Sequence, residues 1–321
     1  MRVLLLTDTH FGVKQNSITW LNSQLDFIYK QFIPYIESIN DYVRVIHLGD
    51  VFDSRSSISP LVATKVRQMF IDISKLSNVE VIDIIAGNHD FYSPNSDEID
   101  SISLTLQNID KVTLHTKNMD FDIGLYGIFV PWYKWFDQDK LQEYITLTGA
   151  KYVFTHADII MEPVKVKGVK VYSGHIHIPN LNSNKNLYNL GSCYALNFAD
   201  ANQNRMFYEF DIHTGNLIPI ANNISIKFWR LYNEEIFKSY NIKDNDYVEL
   251  YINQNNMTKA DYNKVINEYT KKYKNIWIIP QIESNLSAET ASFEGYDIEK
   301  ITKEMIPDPL KGKFNMILNS L

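Results

Sequence analysis

The first part of the chain alternates short runs of β-branched residues with longer stretches in which apolar residues recur at helical spacing. Apolar runs predict buried strands, and the 3.6-residue period predicts amphipathic helices. Strands are predicted over 3–7, 43–48, 79–86 and 123–130, and helices over 61–76 and from a cap at Ser17 onward, with a kink at Pro34. This alternation is typical of an α/β domain.

Further along the chain the pattern consists mostly of strands, predicted over 152–155, 169–173, 187–190 and 206–212. The pattern changes near Asn222, where we place a domain boundary. Beyond it, a strand over 247–252, a helix capped by Thr258 and a strand over 276–279 predict a small α+β unit.

We therefore divide the chain into three parts, 1–222, 223–285 and 286–321. The first part is the large α/β (α+β) domain and the second is the small unit. The third begins as a linker and continues as a helical pattern that Pro307 and Pro309 terminate.

Composition and charge limit the class of protein. With 45% hydrophobic and 21% charged residues among 321, the chain is expected to fold into globular domains. The single cysteine, Cys193, excludes an intramolecular disulfide, and the apolar run at the N-terminus is too short for a membrane span, so we expect a cytoplasmic protein. A net charge of -7 opposes nucleic-acid binding unless metal ions or a partner subunit supply positive charge.

Five segments place metal-ligand residue types at or just after the end of a predicted strand. Such strand ends are where sites gather in α/β sheets, because rigid strands aim loop residues into one crevice. The segments are Asp8-Thr9-His10, Gly49-Asp50-Val51-Phe52-Asp53, Gly87-Asn88-His89-Asp90, Thr155-His156-Ala157 and Gly174-His175-Ile176-His177.

These residues suffice for a pair of divalent cations about 3.5–4 Å apart that holds a phosphate and an attacking water. One carboxylate has to bridge such a pair, and Asp50 is the candidate. Mixed oxygen and imidazole ligands suit manganese, iron or zinc better than magnesium or calcium. The predicted ligands are Asp8, His10 and His177 for one cation and Asn88, His156 and His175 for the other.

The five segments, in this order, resemble the signatures of the calcineurin-like metallophosphoesterase superfamily. The resemblance implies two mixed β-sheets sandwiched between helices and a dinuclear metal site, here with Mn²⁺ as the expected ion. Gly-Asn-His-Asp and Gly-His-x-His are its sharpest motifs, whereas an isolated histidine carries little weight.

Within that superfamily, the stretch 50–55, the Pro131-Trp132 turn and Gly191-Ser192 resemble the SbcD branch of recombination and repair nucleases. This finer resemblance covers roughly residues 1 to 215. The small unit that follows matches the DNA-capping domain of the branch in position and in strand-helix-strand character only. Archaeal and eukaryotic members have histidine where this chain has Asp53, which instead matches the bacterial and phage pattern.

The resemblance implies in-line attack of water on a phosphodiester, with both cations stabilising the extra charge on phosphorus. His89 follows the ligand Asn88, so it is expected to reach the leaving oxygen as an acid or an electrostatic stabiliser. Asp90 or Asp53 is expected to select its tautomer by accepting the other ring proton. The remaining histidines, His47, His115 and His213, are expected to be structural.

Binding partners are predicted on weaker patterns. Lys14 and Arg55 lie beside predicted ligands and are candidates for contacts with DNA phosphates. The resemblance implies a homodimer through the helices that follow Ser17, and an SMC-like ATPase partner of the SbcC type. The apolar C-terminal segment either docks that ATPase or packs on its own protein.

Three functions compete. The first is a manganese-dependent DNA nuclease, with exonuclease and single-strand endonuclease activity, that serves DNA recombination, repair and replication. The second is another phosphoesterase of the superfamily that acts on small nucleotides or phosphoproteins. The third is a non-catalytic scaffold that tethers an ATPase to DNA ends; such a scaffold is expected to lose metal ligands, and no predicted ligand is missing here.

Overall fold

A computed structural model of the chain describes residues 1–132, 137–158, 165–182, 185–253 and 257–281. The predicted C-terminal part, 286–321, with its helical pattern and its proposed ATPase docking, lies outside these residues. None of the described helices has the length and apolar content that crossing a lipid bilayer would require.

Two six-stranded sheets form the large unit. In the first, β1 (Arg2–Leu6), β2 (Val43–His47), β3 (Val79–Ile85) and β6 (Val112–His115) run parallel, and β13 (Met206–Phe210) and β14 (Leu217–Ala221) extend it as antiparallel strands. In the second, β8 (Gly127–Val130), β9 (Tyr152–Thr155), β10 (Lys170–Ser173) and β12 (Leu187–Asn189) are parallel, and β7 (Asp120–Asp122) and β11 (Asn180–Asn182) are its antiparallel edges.

The two sheets pack face to face with helices outside both. Leu5 and Ile46 of the first sheet and Phe154 and Tyr172 of the second belong to one buried cluster, so this cluster is the core between the sheets. The other face of the second sheet is covered by α6 (Gln138–Thr148). Helices on both outer faces confirm the predicted fold class of two mixed sheets sandwiched between helices.

The outer face of the first sheet carries most of the helices. They are α1 (Val13–Asn16), α2 (Ile18–Phe27), a π-helical turn (Ile28–Phe32), α3 (Ile33–Glu37), α4 (Pro60–Ser74) and α5 (Ser101–Leu106). The π-helical turn ends two residues before Pro34, which has no N–H to donate to the regular helical ladder. Ser17 stands at the N-cap of α2 as predicted, but its side chain makes no capping hydrogen bond.

The strand predicted over 123–130 is wrong in its first half. Only Gly127–Val130 is extended, and residues 123–126 form the turn between β7 and β8. The Asp122 carboxylate holds this turn by accepting a hydrogen bond from the Leu125 N–H at 2.8 Å, and Ile123 is 74% exposed. An apolar residue at the tip of a turn was therefore mistaken for part of a buried strand.

Several elements were not predicted at all. Besides β6, β7, β14 and α6, they include the hairpin of β4 (Phe91–Ser93) and β5 (Ser96–Asp100). Most are short or largely exposed, so their apolar residues do not recur at a spacing that would predict a helix or a strand.

The small unit is a three-stranded parallel sheet of β15 (Phe228–Leu231), β16 (Tyr247–Asn253) and β17 (Ile276–Gln281), with α7 (Glu234–Ser239) and α8 (Lys259–Lys272). Thr258 caps α8: its hydroxyl accepts from the Asp261 N–H at 3.2 Å, and the Asp261 carboxylate accepts from the backbone of Thr258. Leu231, Val248 and Leu250 belong to a separate buried cluster of this unit.

A stack of aromatic rings joins the small unit to the large one. Phe228 stacks on Trp20 of α2 with ring centroids 5.8 Å apart and on Tyr247 at 5.0 Å, and Tyr247 stacks on Trp277 at 6.0 Å. Because Phe228 also belongs to the core of the large unit, the first strand of the small sheet is shared between the two. The boundary at residue 222 stays a prediction.

Candidate metal centre

Every segment that the sequence singles out begins where a parallel strand ends. Strands β1, β2 and β3 of the first sheet and β9 and β10 of the second all point their carboxyl ends at the same edge of the molecule. The seven predicted ligands meet there: Asp8 and His10 after β1, Asp50 after β2, Asn88 after β3, His156 after β9, and His175 and His177 after β10.

One group of ligand atoms consists of Asp8, His10 and His177. Nε2 of His10 lies 3.7 Å from Oδ1 of Asp8, and Nε2 of His177 lies 3.8 Å from the same oxygen. The two Nε2 atoms are 3.1 Å apart. Asp8 and His10 are buried, whereas the His177 side chain is 27% exposed and forms the open side of the group.

The second group consists of Asp50, Asn88, His156 and His175. Oδ2 of Asp50 lies 3.2 Å from Nε2 of His156. Oδ1 of Asn88 faces both Nε2 of His156, at 3.2 Å, and Nδ1 of His175, at 2.8 Å. Oδ2 of Asp50 is also 3.6 Å from Nε2 of His10, so this carboxylate lies between the two groups.

The backbone at the site is strained. Four of the predicted ligands have left-handed φ values, at 52° for Asp8, 41° for His10, 55° for Asp50 and 79° for His175. Non-glycine residues rarely adopt this region, and it costs roughly 1–3 kcal/mol per residue. Such strain persists where the surrounding structure over-determines it, as the two packed sheets do here.

Two glycines of the motifs allow the loops to approach each other. A Cβ at Gly87 would lie 2.2 Å from Oδ1 of Asp50 and 2.3 Å from its backbone nitrogen. A Cβ at Gly174 would lie 2.1 Å from Oγ1 of Thr7 and 2.8 Å from Oδ2 of Asp8. Any larger residue at either position would push a ligand carboxylate away.

Neighbouring groups orient the ligand rings. Nδ1 of His156 hydrogen-bonds the Leu48 carbonyl at 2.7 Å, so Nδ1 carries the proton and Nε2 faces Asp50. Nδ1 of His10 lies 3.3 Å from the Asp53 carboxylate, an ion-pair distance without the alignment of a hydrogen bond. The amide of Gln24 donates to the carbonyls of Thr9 and His10 at 2.8 and 3.2 Å.

His89 lies beside both groups of ligands, with its ring centroid 5.0 Å from that of His10. Its backbone N–H donates to Oδ1 of Asp50 at 2.8 Å. Its ring Nδ1 hydrogen-bonds the main-chain carbonyl of Asp53 at 2.5 Å, so Nε2 is the ring nitrogen that this contact does not engage.

Of the two residues expected to accept the ring proton of His89, the structure brings Asp53 to the ring and not Asp90. The acceptor is the backbone of Asp53, whose carboxylate faces His10 instead. The buried Asp90 carboxylate accepts from the N–H groups of Gly87 at 2.9 Å and Phe52 at 3.2 Å. Asp90 therefore ties two ligand loops together.

Burial and the crowded charges shift the pKa values of the site. Burial favours the neutral carboxyl of Asp8, but the nearby rings of His10 and His156 lower its pKa to about 2. Burial opposes the charged form of His10, yet Asp53, Asp8 and Asp50 raise its pKa to about 10. Burial also opposes the charged form of His156, but the carboxylates of Asp50 and Asp8 outweigh this effect and raise its pKa to about 9.

The other shifts follow from the same two causes. Burial, and secondarily the charge of Asp50, raises the pKa of Asp90 to about 7. Burial lowers the pKa of His175 and His177. For Asp50 the charges of His156 and His10 outweigh burial and hold the pKa far below its usual value.

The structure also places the candidate DNA contacts. Lys14 is exposed on α1, a single turn in which Lys14, Gln15 and Asn16 all have left-handed φ values of 55°, 58° and 59°. Its Nζ lies 6.0 Å from the ring centroid of Trp20. Arg55 is half-buried, with its guanidinium carbon 5.9 Å from the ring centroid of Trp132.

Two of the histidines set aside as structural are buried in the interior. Nδ1 of His47 accepts from the Gly49 N–H at 3.2 Å, so Nε2 donates to Oγ1 of Thr9 at 2.9 Å. His115 lies between Asp83, at 3.0 Å, and Asp120, at 2.8 Å. Neither is grouped with the ligand atoms of the metal centre, and His213 is exposed on the turn after β13.

Sequence reasoning missed the supporting residues of the site. Gln24 is 2% exposed on the apolar face of α2, between Leu21 and Phe27. A polar residue at such a position is the one signal by which it could have been found. Asn189 and Arg205, which hold the loop of His177, carry no comparable signal in the sequence.

The donor set fits a pair of divalent cations. Two carboxylates, an amide oxygen and four imidazoles converge from loops that are far apart in the chain. Within the group of Asp8, His10 and His177, and within that of Asp50, His156 and His175, the ligand atoms lie within 4.8 Å of one another, and Oδ1 of Asn88 faces His156 and His175. Asp50 belongs to the group with His156 and His175. It also lies close to His10, a ligand of the other group. The mixture of oxygen and nitrogen donors suits transition-metal ions and zinc.

A family model described as calcineurin-like phosphoesterase matches residues 1–179, which contain all five segments. No curated protein matches the chain. The matched stretch covers more than half of the chain, and it holds both groups of ligands. The chain therefore belongs to the calcineurin-like phosphoesterase family, and it is a metal-dependent hydrolase of ester bonds.

Proposed function

We propose that this hydrolase is a two-metal DNA nuclease of the SbcD type, acting in recombination, repair and replication of DNA. The observation that carries the dinuclear site is the position of Asp50. Its Oδ2 lies 3.6 Å from Nε2 of His10 and 3.2 Å from Nε2 of His156, and these rings belong to different groups of ligands. A carboxylate in this position can bridge two cations.

When bound, the cations would supply a Lewis acid at the phosphoryl oxygens and an activated water, and Mn²⁺ is the ion we propose. The protein supplies the rest. The Asp53 carbonyl holds the ring of His89 by Nδ1, so Nε2 is presented to the substrate. There His89 would protonate or stabilise the leaving oxygen, while Asp53 orients the rings of both His89 and His10.

A preference for DNA over small esters is supported by the small unit. The aromatic stack fastens it to α2, which begins shortly after the ligand loop of Asp8 and His10. Tyr232, which follows β15, and Trp277 on β17 are 53% and 48% exposed, and aromatic rings of this kind can stack on nucleobases. Lys14 and Arg55 remain our candidates for contacts with phosphates.

The proposed homodimer is supported by apolar and aromatic residues that are exposed on the helices. Ile18 and Tyr29, on α2 and the turn that follows it, are 60% and 39% exposed, as expected of helices that pair two copies of the chain. Docking of an SMC-like ATPase through residues 286–321 would be tested by deleting them and measuring co-purification of the ATPase.

Purified full-length protein with Mn²⁺ should cut labelled duplex and single-stranded DNA and lose this activity with EDTA. A generic phosphodiester, bis(p-nitrophenyl) phosphate, is the comparison substrate. Hydrolysis of the small ester without any DNA cleavage would reject the nuclease and favour a phosphoesterase of small substrates. No hydrolysis of any substrate, with DNA still bound, would favour the non-catalytic scaffold.

A further inference from the structure

The loop that carries His175 and His177 is held by two buried side chains. The amide of Asn189 donates to the carbonyls of Ile176 at 2.7 Å and Ile178 at 2.8 Å. The carbonyl between them, that of His177, accepts from the guanidinium Nη1 of Arg205. Three successive carbonyls thus have side-chain donors, from residues that are 0% and 5% exposed. A loop in which each carbonyl is held has little freedom to shift.

Arg205 is itself held in place. Its Nη2 forms an ion pair with Oδ1 of Asp200 at 2.8 Å, and both side chains are buried. The other carboxylate oxygen of Asp200 accepts from the N–H of Leu196 at 2.7 Å. Nη1 also donates to Oγ of Ser192 at 3.2 Å. Because each end of the fork has a partner, the guanidinium is fixed relative to the sheet.

His177 depends on this support more than the other ligands do. The His156 ring is anchored through Nδ1 by the Leu48 carbonyl, and the His10 ring faces the Asp53 carboxylate. His175, on the same loop as His177, is held independently, because its N–H donates to the Asp8 carboxylate at 3.2 Å and its Nδ1 hydrogen-bonds Oδ1 of Asn88 at 2.8 Å. The ring of His177 instead meets a fellow ligand, with Nε2 3.1 Å from Nε2 of His10, and its side chain is 27% exposed. The backbone of its loop therefore decides where this ring lies.

We propose that Arg205 is a positioning residue for His177, and that losing its guanidinium fork weakens one of the two cation sites and spares the other. The weakened site is the one formed by Asp8, His10 and His177. This inference rests on the proposed two-metal centre. Lysine keeps the charge, but its single ammonium cannot serve Asp200 and the His177 carbonyl with the same fork geometry.

The test is titration of the metal-free full-length protein with Mn²⁺ alone, followed by calorimetry. Two variants are compared with the wild type, Arg205→Lys and Asp200→Asn. The second keeps the arginine and removes its ion pair. The matched control is Arg44→Lys: Arg44 is 7% exposed on the same sheet and pairs with Asp83 at 2.6 Å and Asp122 at 2.8 Å, outside both ligand groups. Urea unfolding of every variant reports the general loss of stability.

We expect two sites in the wild type and in Arg44→Lys. In Arg205→Lys one site should weaken by roughly 10- to 100-fold, as is usual for groups that orient a metal ligand, while the other changes less than about twofold. Asp200→Asn should weaken the same site by a smaller factor.

Two sites of unchanged affinity in Arg205→Lys would overturn the inference. So would an equal weakening of both sites that Arg44→Lys reproduces, because it would reflect stability alone. If the Arg205 variant does not fold, unchanged binding in Asp200→Asn overturns the inference just as well. A wild type that binds no Mn²⁺ would overturn the two-metal centre first, a result that no Arg205 variant can imitate.

Discussion

Nε2 of His10 and Nε2 of His177 face each other 3.1 Å apart, on loops from different sheets. Two imidazole nitrogens this close need a proton between them unless a cation takes its place. The pKa of His10 is raised to about 10 by Asp53, Asp8 and Asp50 against the effect of burial, whereas burial lowers the pKa of His177. His10 therefore carries the proton and donates it towards His177 in the metal-free protein.

Metal binding should consequently release protons. At neutral pH the rings of His10 and His156, with pKa values raised to about 10 and about 9, must give up a proton before they ligate a cation. We expect the affinity for Mn²⁺ to increase as the pH rises towards these values. Calorimetry in buffers of different ionisation enthalpy measures the protons released, and a binding enthalpy independent of the buffer would contradict the prediction.

The same shifts should make the stability of the metal-free protein depend on pH in the opposite sense. A histidine whose pKa is raised from 6.5 on folding stabilises the fold below pH 6.5, and that contribution is lost as the pH rises through about 9 and 10. The urea midpoint of metal-free protein should therefore fall over this range, and saturating Mn²⁺ should remove much of the fall.

Replacing His89 by alanine should abolish most cleavage while Mn²⁺ and DNA still bind. The Asp53 carbonyl engages Nδ1 of this ring, so we expect Nε2 to face the leaving oxygen, and loss of a general acid typically slows the reaction by roughly 10²- to 10⁴-fold. His213→Ala, at an exposed position on the turn after β13, is the matched control. Unchanged turnover in His89→Ala would reject the catalytic role.

Gly87→Ala should disrupt the metal centre although it adds a single methyl group. Its Cβ would lie 2.3 Å from the backbone nitrogen of Asp50, and a backbone atom cannot move aside as a flexible side chain can. We expect Mn²⁺ binding to weaken by roughly tenfold or more. Gly124→Ala is the control, because its Cβ would meet only Oδ1 of Asp122, at 3.3 Å. Equal metal binding by the two variants would show that the loops can separate.

His47 should make the protein less stable in acid. Burial lowers the pKa of this ring to about 3, so the folded state excludes a proton that the unfolded state binds below pH 6.5. Stability is therefore lost as the pH falls from 6.5 towards 3. His47→Gln cannot titrate, and its urea midpoint should fall less between about pH 7.5 and pH 5 than that of the wild type. His213→Gln should behave as the wild type.

The central strands of the large unit could be predicted because most of their residues are buried. Every residue of Val43–His47 and of Tyr152–Thr155 is buried, and runs rich in β-branched and aromatic residues predict strands without tertiary information. Ile123 shows the limit of this reasoning, since an apolar residue at an exposed turn has the same local pattern as one in a strand. Short edge strands such as Asp120–Asp122 carry too few apolar residues to be detected.

By itself the sequence determined the chemistry of the site: which side chains can ligate cations, and that they follow strand ends. Ligand types and strand propensity are local properties of the chain. Only the tertiary structure decided that the Asp53 carbonyl accepts a hydrogen bond from the ring of His89, that Asp90 ties ligand loops together, and that Arg205 holds the loop of His177. These contacts depend on the register and twist of two packed sheets, which bring together backbone groups that have no pattern in the sequence.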